Sequence, residues 1–269
     1  MRIVRYRGAR GVGWGAWDGD TVRPIPGFGF DKAVRPSGEG ELLAAVTLLA
    51  PIAPPRNVFC LGRNYAEHAK EGPGADQPLP AAPIWFTKST TAIADPESDV
   101  VVSRSLTRQL DWEVELGVII GRGGKHIPEE RAREHIFGYT VLNDLSARDL
   151  QYARGQWFYS KSLDHLLPAG PCLVTADEIA DPQDLELLLR VNGETRQHGT
   201  TRDMIFSVAA AIADLSRGIT LLPGDVIATG TPSGVGMGRK PPVWLEHGDV
   251  VEAEIPAIGL LRNRIVFVD

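Results

Sequence analysis

Only two cysteines occur in the 269 residues, and each stands alone: Cys60 in Val58-Phe-Cys-Leu61 and Cys172 in Pro171-Cys-Leu-Val174. Their apolar neighbours read as homes for buried reduced thiols, and a disulfide is neither implied nor excluded. No paired-cysteine or HExxH motif exists, which argues against zinc. No lysine or arginine run occurs and the net charge is −6; with no clustered basic surface, nucleic acid is not an expected partner. No apolar stretch approaches bilayer length, and Met1-Arg-Ile-Val-Arg-Tyr-Arg-Gly8 offers no signal-peptide core, so the expectation is a cytoplasmic protein without a membrane partner. Neither a Walker loop nor a strand–helix GxGxxG fingerprint appears, which leaves nucleotide readings without support.

What the chain does carry is a hydrophobic content of 43%, enough for a sizeable core. Residues 1–50 read as a small N-terminal module. In it Asp18-Gly-Asp20 turns a hairpin between Val12–Trp17 and Thr21–Ile25, and a short helix is expected over Glu39–Leu49. Ala50-Pro-Ile-Ala-Pro-Pro55 is a stiff joint, and residues 55–269 form the larger domain. Strands are expected at 57–61, 84–88, 100–102, 111–120, 139–143, 185–191, 226–229, 250–255 and 262–268. Helices are expected at 66–70, 128–136 and 203–217, the last capped by Gly218. Gly72-Pro-Gly-Ala-Asp-Gln-Pro-Leu-Pro80 has the composition of a mobile loop. Strands outnumber helices without regular alternation, which excludes doubly wound and TIM-barrel folds.

The segment Asp111-Trp-Glu-Val-Glu-Leu-Gly-Val-Ile-Ile120 alternates cleanly. Trp112, Val114, Leu116, Val118 and Ile120 share one parity; Asp111, Glu113, Glu115 and Gly117 take the other. Glu113 and Glu115 therefore project side by side, either as part of a solvated acidic face or as the seat of a hard divalent cation. Downstream, Asp144, Arg148 and Gln151 in Asn143-Asp-Leu-Ser-Ala-Arg-Asp-Leu-Gln151 fall at i, i+4 and i+7, while Asp149 lies off that face. An N-capping aspartate with an arginine one turn on would leave the same pattern. As a third carboxylate, Asp144 would complete an all-oxygen site. Lys161 is either a solvated lysine or a positive charge for an enolate or carboxylate. His68 and Glu71, at i and i+3, are either an ordinary exposed pair or a carboxylate-backed base beside a closing lid. Ala228-Thr-Gly-Thr-Pro-Ser-Gly-Val-Gly236 is either a tight turn or a cradle offering N–H groups and the Thr231 hydroxyl to an anion.

In order along the chain, Cys60-Leu-Gly-Arg-Asn-Tyr-Ala-Glu-His68 with Glu71, Asp111-Trp-Glu-Val-Glu-Leu116, Asn143-Asp-Leu-Ser-Ala-Arg-Asp149, Gly155-Gln-Trp-Phe-Tyr-Ser-Lys-Ser162, Pro223-Gly-Asp225 and Gly230-Thr-Pro-Ser-Gly234 resemble the fumarylacetoacetate hydrolase family. The resemblance runs from about residue 55 to residue 269. It implies a β-rich α+β fold with a rolled or barrel-like mixed sheet, assembled as a homodimer. It implies Mg²⁺ (or Mn²⁺ or Ca²⁺) on Glu113, Glu115 and Asp144. Substrate would be held by Arg148, Gln151, Lys161 and Thr231, with His68 and Glu71 as the lid dyad. The implied chemistry is hydrolysis or decarboxylation at C–C bonds of acylpyruvate- or oxaloacetate-like 2-oxo acids through a metal-stabilised enolate. Isomerisation of a 2-hydroxyhepta-2,4-diene-1,7-dioate type substrate, or tautomerisation, is the alternative. A non-catalytic metal- or sugar-binding β-protein is the rival from another class.

Overall fold

The computed structural model describes residues 1–269. Two β-sheets dominate it. The larger has twelve strands: ten run in space from Glu41–Leu42 through Thr21–Pro24, Gly11–Asp18, Arg2–Gly8, Leu167–Thr175, Ile136–Asn143, Val114–Ile120 and Val226–Ala228 to Val58–Gly62 and Ile84–Lys88, while Thr47–Leu49 and Ile93–Ala94 pair off this path with Arg2–Gly8 and Leu167–Thr175. Most neighbours are antiparallel, but Val226–Ala228 runs parallel to Val58–Gly62. The smaller sheet orders Glu194–Thr200, Glu186–Val191, Val250–Ile255, Gly259–Val268 and Asp99–Ser103. The β-rich mixed architecture is as expected, but the larger sheet has two free ends and does not close into a barrel.

Packing follows the parity of the strands. In the central strand, Val114, Leu116, Val118 and Ile120, preceded by Trp112, enter a core shared with Leu187, Leu189, Val251, Ala253 and Ile265 of the smaller sheet. Ile119, of opposite parity, joins a second cluster with Val58, Cys60, Leu142, Val226 and Ala228. Val114–Ile120 is buried throughout, so its alternation separates core from site and not core from water.

That strand starts at Val114, not at Asp111 as alternation predicts; Leu110–Asp111 is a separate short strand. The break is explained by where the backbone donors go. Trp112 N–H reaches Asp111 Oδ1, Glu113 N–H reaches Asn143 Oδ1, and Val114 N–H reaches Gln197 Oε1. Side chains thus satisfy the donors that a ladder would otherwise need.

The N-terminal hairpin forms as read, with Gly19 at φ +56 in its two-residue turn. The helix expected over 39–49 does not form. Glu41–Leu42 pairs with Thr21–Val22 and Thr47–Leu49 pairs with Arg5–Arg7, with one 3₁₀ turn between them. A helix of that length is marginal alone, and the open strand edges offer its backbone better partners. Arg2 and Ile3 pair with Val174 and Leu173, which joins the N-terminal strands to the rest of the sheet. The 128–136 segment is a 3₁₀ helix over Glu129–His135, and 66–70 keeps only the turn His68–Lys70. The long helix is Val208–Gly218, because Ser207 caps it by accepting from Ala210 N–H. Its buried stripe is Val208, Ala211, Ile212 and Leu215. The capping role expected of Gly218 falls to Ile219, whose N–H reaches Leu215 O. No helix is long and apolar enough to cross a membrane.

Candidate active site

Glu113, Glu115 and Asp144 meet beside the central strand. Asp144 N–H donates to Glu113 O, which locks the end of Ile136–Asn143 to the residue before Val114. One oxygen from each of the three carboxylates lies within 4.8 Å of the others. The side chains are 4%, 2% and 0% exposed, which rules out a solvated acidic face.

Three cations are threaded among these acids. Lys161 Nζ bridges Glu113 Oε2 at 2.7 Å and Asp144 Oδ2 at 2.8 Å. Lys88 Nζ holds Asp144 Oδ1 at 2.5 Å and also reaches the carbonyls of Leu145 and Leu166. Arg148 places Nη2 on Glu113 Oε1 at 2.6 Å, Nε on Asp111 Oδ2 and Nη1 on Gln151 Oε1. Burial opposes the Lys161 ammonium, but Asp144 and Glu113 together outweigh it and raise its pKa. For Lys88 burial wins over the Asp144 attraction, and its pKa falls. Burial also opposes ionisation of Glu113, yet Lys161 and Arg148 overcome it and hold the carboxylate well below its usual range.

Glu115 differs. Its Oε2 accepts from Gly230 N–H at 2.8 Å, and no cationic side chain bonds to it. Burial, then the Asp144 and Glu113 charges, push its pKa well up. Gly230 is required there: its φ is +92, and a Cβ would lie 2.9 Å from Asn64 Cβ.

A hard divalent cation fits this cluster. Carboxylate oxygens sharing such an ion lie at most about 4–5 Å apart, and they retain lone pairs beyond those given to lysine or arginine. Four buried carboxylates (Asp111, Glu113, Glu115, Asp144) face three buried cations (Lys88, Arg148, Lys161), which leaves one negative charge at Glu115 uncompensated. Glu113, Glu115 and Asp144 are the residues that would hold the ion.

Glu113 and Glu115 line a cavity of about 250 Å³ that also meets His68, Glu71, Gln151, Lys161 and Thr231, with Asp144 buried behind them. His68 and Glu71 are not an exposed pair: His68 is 8% exposed, its Nδ1 lies 2.8 Å from Glu71 Oε2, and Gly234 N–H donates to Glu71 Oε1. A protonated Nδ1 facing the carboxylate leaves Nε2 as the free base. The glycine-rich turn thus spends the N–H groups of Gly230 and Gly234 on Glu115 and Glu71. The Thr231 hydroxyl donates to Val114 O and accepts from Gln197 Nε2. Asp144 lies ahead of the helix Arg148–Arg154, so Asp144 and Arg148 do not form a cap pair, and Asp149 instead holds Thr107 and the Arg108 N–H.

Sequence reasoning missed Lys88, Gln197 and Asn64. Lys88 carried a signal, a lone lysine closing the aromatic strand Ile84-Trp-Phe-Thr-Lys88. Asn64, which ties the Gly62–Tyr65 turn to Thr229 O and Phe206, lay within the Cys60–His68 motif without being singled out, and Gln197, in a polar hairpin strand, carried no signal. Asp111, read only as part of the acidic face, anchors Arg148 and accepts from Gly236 and Met237 N–H.

Residues 57–266 match the family model described as fumarylacetoacetate (FAA) hydrolase C-terminal. The chain belongs to this family. Residues 1–51 match a second model, Rv2993c-like, N-terminal. Among relatives in the family, human "Oxaloacetate tautomerase FAHD2A, mitochondrial" is 47% identical over 223 residues, 82% of this chain and 70% of that protein. "Oxaloacetate tautomerase YisK" of Bacillus subtilis is 48% identical over 225 residues, 83% of this chain and 74% of that protein. The crystal structure of 2-hydroxyhepta-2,4-diene-1,7-dioate isomerase from Mycobacterium marinum superposes with a TM-score of 0.87 at 38% identity, over 99% of this chain and 98% of that one. A fumarylacetoacetate hydrolase from Exiguobacterium antarcticum gives 0.85 at 39% identity, over the whole of both chains. Family membership makes this an enzyme of the 2-oxo acid type.

Proposed function

We propose that the chain is a Mg²⁺-dependent enzyme that interconverts the enol and keto forms of an oxaloacetate-like 2-oxo acid. The observation that carries the reading is the buried triad Glu113, Glu115 and Asp144, in which Lys161 bridges Glu113 to Asp144 and the two glutamates line the same cavity as His68–Glu71. The names of the similar tautomerases support this reaction over the C–C bond hydrolysis or decarboxylation that the motifs alone placed first.

When bound, Mg²⁺ (or Mn²⁺ or Ca²⁺) supplies Lewis-acid stabilisation of negative charge on the oxygens of a chelating 2-oxo acid. Lys161, fixed at two carboxylates, keeps a positive charge beside the developing enolate oxygen. His68 Nε2 exchanges a proton with the substrate, while Glu71 fixes its tautomer and orientation. Gln151 Oε1 is spent on Arg148, so its Nε2 is the donor left for the substrate carboxylate. Arg148 and Thr231 complete that wall of the cavity. The chemistry is assigned to residues 55–269, with residues 1–50 a small N-terminal unit of a cytoplasmic homodimer.

One observation favours a second reading. A buried, carboxylate-backed histidine is also the base that a hydrolase needs to activate water, so cleavage of an acylpyruvate stays in the test. Oxaloacetate, acetylpyruvate, fumarylpyruvate and a hydroxydienedioate, each with Mg²⁺ and followed by NMR, separate proton migration, cleavage and CO₂ loss. Accelerated enol–keto exchange without carbon loss is expected. Cleavage products would favour the second reading, and inertness toward all four would overturn both.

A further inference from the structure

Four cationic or potentially cationic side chains line the cavity: Arg63, His68, Arg148 and Lys161. Three are committed to carboxylates of the protein itself: His68 to Glu71, Arg148 to Asp111 and Glu113, Lys161 to Glu113 and Asp144. Arg63 is the exception. Its Nη1 donates to the amide oxygen Gln77 Oε1 at 2.8 Å. Its Nη2 is spread over the carbonyls of Ala69, Gly74 and Gln77 at 3.3, 3.4 and 3.3 Å, the long end of hydrogen bonding. A guanidinium with only neutral acceptors gains when a carboxylate takes their place, because charge-assisted and bidentate bonds are about twice as strong.

The backbone points the same way. Arg63 sits at φ +54, a conformation that side-chain-bearing residues seldom adopt. Asn64, 1% exposed and bonded to Thr229 and Phe206, holds the turn in that shape. The Gly62–Tyr65 turn therefore presents Arg63, half-buried, on the cavity wall that faces the loop 72–80.

We propose that Arg63 binds the distal carboxylate of a dicarboxylic substrate and selects for a second negative charge at the end remote from the acidic triad. The assignment rests on the 2-oxo acid reading above and narrows it to 2-oxo dicarboxylates. The charges agree, since a divalent cation would turn the single excess negative charge of the inner cluster into a single positive one. A 2-oxo acid head group would then be neutralised there, leaving the second carboxylate to Arg63.

The test is calorimetric binding, with Mg²⁺ present, of two probes that share an oxalyl head and do not enolise. N-oxalylglycine carries a distal carboxylate, and N-ethyloxamate ends in a methyl group. The expected result is that the native enzyme prefers N-oxalylglycine by about tenfold or more. Arg63→Met should bring that ratio near one while leaving the N-ethyloxamate affinity in place, and Arg63→Lys should restore part of it. A ratio unchanged in Arg63→Met would overturn the assignment. So would parallel loss of both probes, which is what mere support of the 72–80 loop predicts. Both probes binding equally to the native enzyme would remove Arg63's role alone. Binding of neither would remove the 2-oxo acid reading and this assignment with it.

Discussion

At the scale of single residues, the site is a balance of buried charges in which Glu115 is the unbalanced member. Its neighbours are carboxylates and its one protein donor is Gly230 N–H. Glu115→Gln keeps an acceptor for that N–H and removes the repulsion. It should raise the stability of the metal-free protein by about 1–3 kcal/mol in urea titrations while eliminating the stabilisation conferred by Mg²⁺. Lys88→Met should act in the opposite direction. It strips a buried cation from Asp144 and should cost about 3–5 kcal/mol in the same measurement, with no gain from Mg²⁺ needed to see it. Period-two alternation and the order of the motifs exposed the carboxylates to a reader of the sequence. Their partners were less legible: Lys161 came with a motif, Lys88 left only the weak signal of a lone lysine ending an aromatic strand, and the neutral Gln197 acts across a distance that no local pattern encodes.

At the scale of elements, tertiary partners decided wherever local propensity was weak. Val250–Ile255 and Ile84–Lys88 came out at the residues expected, because an alternating or apolar run bounded by turns has few other uses. The 39–49 segment went to two sheet edges, since helical periodicity over so short a span cannot compete with ladder hydrogen bonds. The Arg2–Gly8 and Leu167–Thr175 strands escaped notice; in the first the adjacent Ile3 and Val4 break the period-two alternation, and the second is interrupted by Pro168, Gly170 and Pro171. The start of the long helix was misplaced because Ser207, not the Asp203 turn, supplies the cap. Ser207→Ala should therefore destabilise the protein by about 1 kcal/mol, measured by chemical denaturation, with little effect on catalysis.

At the scale of the whole molecule, two sheets sandwich the main core and leave the site on the opposite side of the central strand. Both thiols are buried, Cys172 in that main core and Cys60 in the second apolar cluster. Burial, with Asp144 and Glu115 nearby, pushes the Cys60 pKa well up, and burial raises Cys172 to about 11. The reactive thiolate is therefore scarce at neutral pH, and access is closed as well. Iodoacetamide should leave both cysteines unmodified in the native protein and label them at the rate of global unfolding, read by mass spectrometry. Fast native labelling of Cys60 would mean that the wall behind the acidic triad opens readily.

The central claim is that three buried carboxylates hold a hard cation on which a 2-oxo acid reacts. The measurement that tests it most directly is the rate of ketonisation of enol-oxaloacetate with and without Mg²⁺, for the native chain and for Glu115→Gln. The account predicts Mg²⁺-dependent acceleration in the native protein and its loss, by at least about a hundredfold, in the folded variant. Equal acceleration by Glu115→Gln, or by native protein stripped of divalent ions, would contradict it.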